Sequence, residues 1–526
     1  MRSAIVPTLL ALVASTSAAT EHPFQVPTEP AARAPSRIAI IGAGAGGSSA
    51  AFWLAKAKER HGLNIEVDIY EKDSFIGGRS TTVHPYGDSS FEAIELGASI
   101  FVDINKNMWR ASDEFNLTRY YLGDDMSSLG LWDGKDFLFT TGSWRGTLGG
   151  WVDNIKALWR YGYYAPTNTD KLVKNITDNY VNIYGPDTPI WPNMSDVVNA
   201  FDWGTAVSQL GSEYFLSRGI SERFTYELID AATRVNYAQP VETLHGLATL
   251  CSLATGGAAG IERGNWRVFE NFVQLSGAKL LLNTTVSAID RESSAKFTVT
   301  SDRGTASYSS VILAAPFHTA SISLPSGLAD LIPQQPYMTL HVTLLSTTAP
   351  APNPAYFGLA PGAHVPGNIY STPGVARKLG DTLEFNSISF LTKLRKEGAE
   401  KGTAYVGESG KEEWIVKVFS PKAVSDEWLA DLFMGQVGWV LRKEFQPYPA
   451  LKPSPSFPPV RLDRGLFYVN AFEPLLSTME TETIAARNVV DLLLHEEFDS
   501  GICYPAKVNE THARASDPSF VYGWDC

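Results

Sequence analysis

The chain has 526 residues, 44% of them hydrophobic and 19% charged, and carries a formal net charge of −13. That length allows two or three domains with sizeable cores, and the composition is that of a globular protein. The acidic balance and the lack of a basic run exclude nucleic acid and an anionic membrane surface as expected partners, and the nine histidines and three cysteines show neither a metal cluster nor a Ser/His/Asp set.

The N-terminus reads as a targeting segment. Arg2 supplies a positive start, Ala4–Ala14 an apolar run, and Ser17-Ala18-Ala19 a small-residue cleavage signal. Residues 1–19 are therefore expected to be a signal peptide and 20–36, with four prolines, a leader. No later segment reaches 18 uncharged apolar residues, so no transmembrane segment is expected in the mature chain. Five N-x-S/T sequons, at Asn116, Asn175, Asn193, Asn283 and Asn509, fit a glycoprotein of the secretory pathway, bound for a vacuole or lysosome or for the outside of the cell. Cys503 and Cys526 lie close enough in sequence to form one disulfide, and Cys251, in an apolar stretch, reads as a buried free thiol.

Residues 37–79 predict a βαβ unit. Ile38–Ile41 reads as a buried parallel strand, Gly42-x-Gly44-x-x-Gly47 as the turn after it, Ser48–Lys58 as a helix and Ile65–Tyr70 as a second strand. Gly42 permits the tight turn, Gly44 lets backbone approach a diphosphate, and Gly47 lets helix and strand pack closely. The helix N-terminus offers free N–H groups to phosphate. Glu71, 24 residues after Gly47 and followed by Lys72, stands where a carboxylate accepts from both ribose hydroxyls. Gly77-Gly78-Arg79 follows within a few residues, as in flavoproteins of the amine oxidase superfamily, where such residues lie against the FAD diphosphate and the flavin; this favours FAD over NAD.

Farther along, Thr81–His84 is β-prone, and Phe91–Ser99 predicts a strand whose Gly97-Ala98-Ser99 turn would bring backbone near the isoalloxazine. Residues 105–254 are rich in Trp, Tyr and Asn, with helical patches at 151–161, 169–183 and 222–254, and read as a first substrate-domain segment. A helix over Glu270–Ser276, a strand over Lys279–Leu282, a hairpin around Asp302-Arg303-Gly304 and a buried strand over Val311–Pro316 return the chain to the cofactor domain, with Val286 expected to hold the adenine through its backbone. Residues 324–459, β-prone and broken by prolines, form a second substrate-domain segment. The last cofactor segment is a strand over Leu466–Ala471 and a helix with apolar positions Ile484, Ala485, Val489, Val490 and Leu493. Its N-terminus near Ser477–Glu480 would face the flavin pyrimidine. The expected fold is thus α/β: a Rossmann-type FAD-binding domain assembled from 37–104, 255–323 and 460–496, with an α+β substrate domain from 105–254 and 324–459, and a C-terminal tail over 497–526.

The blocks IGAGAGGSSAAFWL, IYEKDSFIGGRS, RVNYAQPVETLHGLATLCSLATGG, ERGNW and FYVNAFEPLLSTMETETIAARN make the chain resemble the prenylcysteine oxidase (prenylcysteine lyase) family over residues 37–494. The resemblance implies an FAD-dependent thioether oxidase. Hydride is removed from the prenyl C1 of a prenylcysteine, water traps the cation, and the hemithioacetal collapses to a prenyl aldehyde and free cysteine, with oxygen reduced to hydrogen peroxide. A single dinucleotide fingerprint and a secretory leader fit oxygen as acceptor. Within the family-specific block, Arg234, Asn236, Tyr237 and Gln239 are the candidate substrate residues, and no catalytic base is identified. The alternatives are a secreted amine oxidase, a biosynthetic flavin oxidase acting on another thioether or prenylated compound, and a non-catalytic isoprenoid-binding protein.

Overall fold

The computed structural model describes residues 34–121, 128–142, 147–294, 296–376, 383–400, 402–407, 409–454, 456–503 and 519–526. The expected signal peptide, the leader up to residue 33 and Asn509 lie outside them.

The elements that place the site are, in chain order, β1 (Ser36–Ile41), α1 (Ala45–His61), β2 (Ile65–Tyr70), α2 (Lys106–Glu114), α3 (Tyr164–Tyr180), α4 (Asp230–Tyr237), α5 (Gly246–Leu253), β3 (Lys279–Leu281), β4 (Ser310–Leu313), β5 (Arg461–Asp463), β6 (Leu466–Tyr468) and α6 (Met479–Phe498). A six-stranded sheet runs β5-β6-β4-β1-β2-β3. β1 lies parallel between β2 and β4, β6 extends the sheet in parallel beyond β4, and β5 closes that edge antiparallel. Three stretches far apart in sequence thus feed one sheet. The β1 run Ile38-Ala39-Ile40 is fully buried, as a parallel strand covered on both faces must be. α1 packs against both α6 and the helix Trp266–Ser276.

A seven-stranded sheet carries the rest of the β structure, ordered 437–445, 340–347, 414–420, 387–393, 368–371, 129–132 and 137–140. Antiparallel pairing dominates it, with one parallel pair between Asn368–Ser371 and Leu129–Trp132. A three-stranded antiparallel sheet, Val286–Ser293, Lys296–Ser301 and Gly304–Tyr308, follows β3. Among the described residues no helix is long and apolar enough to cross a membrane.

Two expected elements end early. The strand expected over Leu466–Ala471 stops at Tyr468, and Val469–Phe472 forms a 3₁₀ turn; the Asn470 carbonyl there accepts the Glu473 N–H and its side chain binds two carboxylates, drawing the chain out of the sheet. The helical stretch expected over 222–254 breaks at Ala238, which has φ of 54°, and resumes as α5 after Pro240, because proline has no N–H to continue a helix. Cys503 and Cys526 are disulfide-bonded with Cα atoms 5.3 Å apart. Cys251 is a half-buried free thiol.

Candidate active site

A cavity of about 840 Å³ runs between the glycine loop and the inserted helices. One end is built from backbone. Gly42 has φ of 107°, and a Cβ there would sit 2.5 Å from the Ala314 carbonyl oxygen; a Cβ at Gly47 would sit 1.9 Å from the Gly42 carbonyl oxygen. Gly47 therefore locks α1 against the turn and does not itself line the cavity. Gly44 differs: a Cβ there meets no protein atom nearer than 3.9 Å, so the space above it is open to a ligand. Gly77 N–H donates to the Ala43 carbonyl at 2.9 Å, and Gly44 and Gly77 form a parallel bridge, so the second glycine pair is tied directly to the first loop.

Glu71 stands at the end of β2. Its Oε2 accepts from Ala43 N–H at 2.8 Å and its Oε1 from Asp73 N–H at 2.9 Å. Each oxygen keeps a further acceptor site for a ribose hydroxyl. Burial raises the Glu71 carboxyl, and the two N–H groups oppose that shift. Lys72, Gly78, Arg79, Ala98, Ser99 and Val286 line the same cavity. Arg79 pairs with Glu473 and donates to the Pro447 carbonyl. Ser99 accepts from the buried Lys417 ammonium at 3.0 Å; burial pushes that ammonium down and pushes the nearby Glu95 carboxyl up.

Three buried polar atoms on this wall have no protein partner: Ser80 Oγ, Asn470 Oδ1 and Glu482 Oε1. Buried polar groups are nearly always satisfied. Orphans on residues that line a cavity beside an open glycine loop therefore fit a polar ligand the size of FAD, with the glycine loop at its diphosphate and Glu71 at its ribose.

Three expected site residues take other roles. Gly97 does not line the cavity; a Cβ there would meet the Phe445 ring at 2.7 Å, so its smallness serves packing. Arg234 is buried in an ion pair with Asp230 at 2.7 Å. Gln239 is buried as well, donating to the Tyr237 and Pro449 carbonyls and accepting from Leu451 N–H, which fastens the 447–451 loop. Glu480 does line the cavity, but its carboxylate clasps α2: it accepts from Asn107 N–H at 2.9 Å, Met108 N–H at 3.0 Å and the Tyr184 hydroxyl at 2.5 Å, and burial pushes it up to about 7.

The other end of the cavity is built from side chains. Val173, Ile176 and Tyr180 of α3, Trp203, and Leu247, Leu250 and Cys251 of α5 form an apolar arm. Asn236 and Tyr237, where α4 ends, line it too. Asn236 donates to the Ala232 and Ser252 carbonyls, and the Tyr237 hydroxyl to Cys251 Sγ at 3.3 Å. The arm joins the cofactor end near Tyr337, Lys443, Phe445 and Tyr448, lining residues that carry no motif in the sequence.

Known proteins place this arrangement. The family model for prenylcysteine lyase matches residues 147–502, and a model for an NAD(P)-binding Rossmann-like domain matches 40–115. The farnesylcysteine lyase of Arabidopsis thaliana is 29% identical over 476 residues, covering 88% of each chain. Human prenylcysteine oxidase 1 is 26% identical over 482 residues, 88% of this chain and 89% of the relative. Among solved structures, cyclohexylamine oxidase from Brevibacterium oxydans matches 88% of this chain and 99% of its own at a TM-score of 0.55 and 14% identity. A putrescine oxidase variant gives a TM-score of 0.54 at the same identity and coverage. Those two likenesses show the fold alone. With the prenylcysteine lyase model spanning more than half of its length, the chain belongs to the prenylcysteine lyase family.

Proposed function

We infer that the protein is an FAD-dependent oxidase that cleaves prenylated cysteine at its thioether. The observation that carries this reading is that one cavity joins the glycine-loop end to the apolar arm. The names of the farnesylcysteine lyase and prenylcysteine oxidase relatives support the same substrate class.

FAD, when bound, supplies a hydride acceptor that can be reoxidised. The chain's own residues do the positioning. Val173, Ile176, Tyr180, Trp203 and Leu250 bury the prenyl tail, each 100 Å² of apolar surface contributing about 2.5 kcal/mol. That burial fixes the tail and carries the prenyl C1 toward the glycine-loop end, where orientation rather than acid–base chemistry sets the rate. Loss of hydride from C1 leaves a cation that the allylic double bond and the sulfur stabilise, and one water attacks there and releases a proton. The hemithioacetal then breaks its C–S bond, giving a prenyl aldehyde and free cysteine, while oxygen takes two electrons and two protons to become hydrogen peroxide. Asn236 and Tyr237 line the arm and are the candidate polar substrate residues.

The cofactor domain comprises residues 37–104, 255–323 and 460–496, and the substrate domain 105–254 and 324–459. Asn116, Asn175, Asn193 and Asn283 are all exposed, and together with the signal-like N-terminus they support a glycosylated protein of the secretory pathway, in a vacuole or lysosome or outside the cell.

Oxygen uptake against farnesylcysteine, other thioethers and amines, with the products identified, tests the reading. Purified protein should be yellow and should make peroxide and farnesal from farnesylcysteine. A colourless protein that binds the lipid and consumes no oxygen would sink it.

A further inference from the structure

The glycine-loop end of the cavity contains an acid, Glu482, that forms no ion pair among the described residues. Glu482, in the first turn of α6, lies against the first turn of α1: a Cβ at Gly46 would sit 3.1 Å from Glu482 Oε2. Asn470 Nδ2 donates to Glu482 Oε2 and to Glu473 Oε1, at 3.1 Å each. Glu473 also takes the Arg79 guanidinium and the Tyr337 hydroxyl, so the cation of this cluster is already committed. Among the described residues no ion pair reaches Glu482. It is 5% exposed and Asn470 is 3% exposed; Glu482 Oε1 and Asn470 Oδ1 both lack a protein partner, and both residues line the cavity.

An ionised Glu482 would place a second buried negative charge beside Glu473 and, with FAD present, set both beside the two charges of the diphosphate. Its place in the first turn of a helix favours the anion by at most about 1–2 kcal/mol. Desolvating an unpaired carboxylate costs several kcal/mol, so the neutral form wins. Burial, then Glu473, push this carboxyl well above the usual carboxylate range, with Arg79 opposing. The other titratable groups facing the cluster are the Tyr337 and Tyr468 phenols, both held protonated by burial. A protonated carboxyl is a donor, and the diphosphate–ribityl segment of FAD offers only acceptors at phosphate and both donors and acceptors at its hydroxyls.

We propose that Glu482 is kept as a neutral carboxylic acid whose Oε1–H donates a hydrogen bond to an oxygen of the diphosphate–ribityl segment of FAD. The inference rests on the reading that this cavity binds FAD.

The test uses full-length protein and reads FAD binding and protonation rather than turnover. Infrared spectra of the holoprotein should show the carbonyl stretch of a protonated carboxylic acid, absent from Glu482→Gln. That variant keeps shape and an N–H donor, so it should bind FAD with wild-type affinity and unfold at the wild-type temperature. Glu482→Ala should weaken FAD binding roughly tenfold or more, the loss of one hydrogen bond to a charged group. A holoprotein without the acid band, or an alanine variant that binds FAD as tightly as wild type, overturns the proposal while leaving the cofactor reading intact. Wild-type protein that binds no FAD at all overturns that reading, and this proposal with it.

Discussion

The two ends of the cavity are made by different means. The glycine-loop end is a backbone surface: Gly42, Gly47 and Gly77 are required because a Cβ would strike a carbonyl oxygen or a neighbouring residue. The apolar arm is a side-chain surface, with Val173, Ile176, Trp203, Leu247 and Leu250 brought together from separate helical segments. At Gly42, Gly47 and Gly77 almost no substitution is tolerated, since the clash lies in the main chain. A side-chain surface tolerates many, each changing shape and affinity by a modest amount. The first end suits a cofactor that does not vary, and the second a substrate whose chain length can.

The largest expected effect separates two glycines within the first end. Gly47→Ala puts a methyl 1.9 Å from the Gly42 carbonyl oxygen, which forces α1 off the turn and should destabilise the fold by more than about 4 kcal/mol. Little soluble protein is expected. Gly44 has φ of −77°, open to any residue, and free space above it. Gly44→Val should therefore fold within about 0.5 kcal/mol of the parent and lose FAD, read as flavin absorbance per chain alongside the melting temperature of the apoprotein. A Gly44→Val protein with full flavin content would remove the diphosphate from this loop.

A smaller effect tests the joint between the two ends. His245, fully buried at the N-cap of α5, accepts the Ala248 N–H on Nδ1 at 3.2 Å, so its neutral ring keeps the proton on Nε2, which faces the Pro474 carbonyl at 3.2 Å. It thereby ties the substrate-arm helix to the segment leading into α6. Burial pushes the imidazole down to about 4 from an ordinary 6.5. The unfolded chain binds the proton first, so stability is complete above pH 6.5 and falls as the pH drops toward 4, by about 3 kcal/mol in all. Urea unfolding at pH 7 and pH 4.5 should show this loss in the parent, and His245→Gln should flatten that part of the profile. An equal pH dependence in both proteins would assign the acid lability to other groups.

How legible each end was in the sequence follows from the same contrast. The strand–glycine–helix spacing and Glu71 were readable because backbone geometry dictates residue type at fixed offsets. The seven-stranded sheet showed itself only as β-prone runs, because register between distant strands is set by tertiary pairing. Asn236, Tyr237, Arg234 and Gln239 sit in one conspicuous block, yet two face the cavity and two brace the interior; α4 and the turn at Ala238 that ends it split a continuous sequence signal. Tyr180 and Trp203 belong to a Trp- and Tyr-rich stretch but neither they nor Phe445 could be singled out, since an apolar side chain lining a cavity has the same periodicity as one lining a core. Glu482 carries no motif in the sequence, and its unpartnered oxygen becomes visible only once Asn470, Glu473 and Gly46 surround it.

The smallest effect addresses the second end directly. Ile176 on α3 lines the arm and is only partly buried, so truncating it removes ligand contact more than core. Ile176→Ala deletes three carbons from the wall, and at about 0.8 kcal/mol per buried CH₂, only part of it facing the ligand, the expected loss is about 1–2 kcal/mol of binding to a farnesyl chain. This corresponds to a KM for farnesylcysteine raised roughly tenfold, with flavin content unchanged and kcat nearly so, because the lost contact is made equally before and during the reaction. A longer geranylgeranyl chain should suffer less if it fills the space left by the side chain. Should Ile176→Ala instead lower flavin content while sparing KM, the arm would belong to the cofactor and the division between a backbone end and a side-chain end would have to be redrawn.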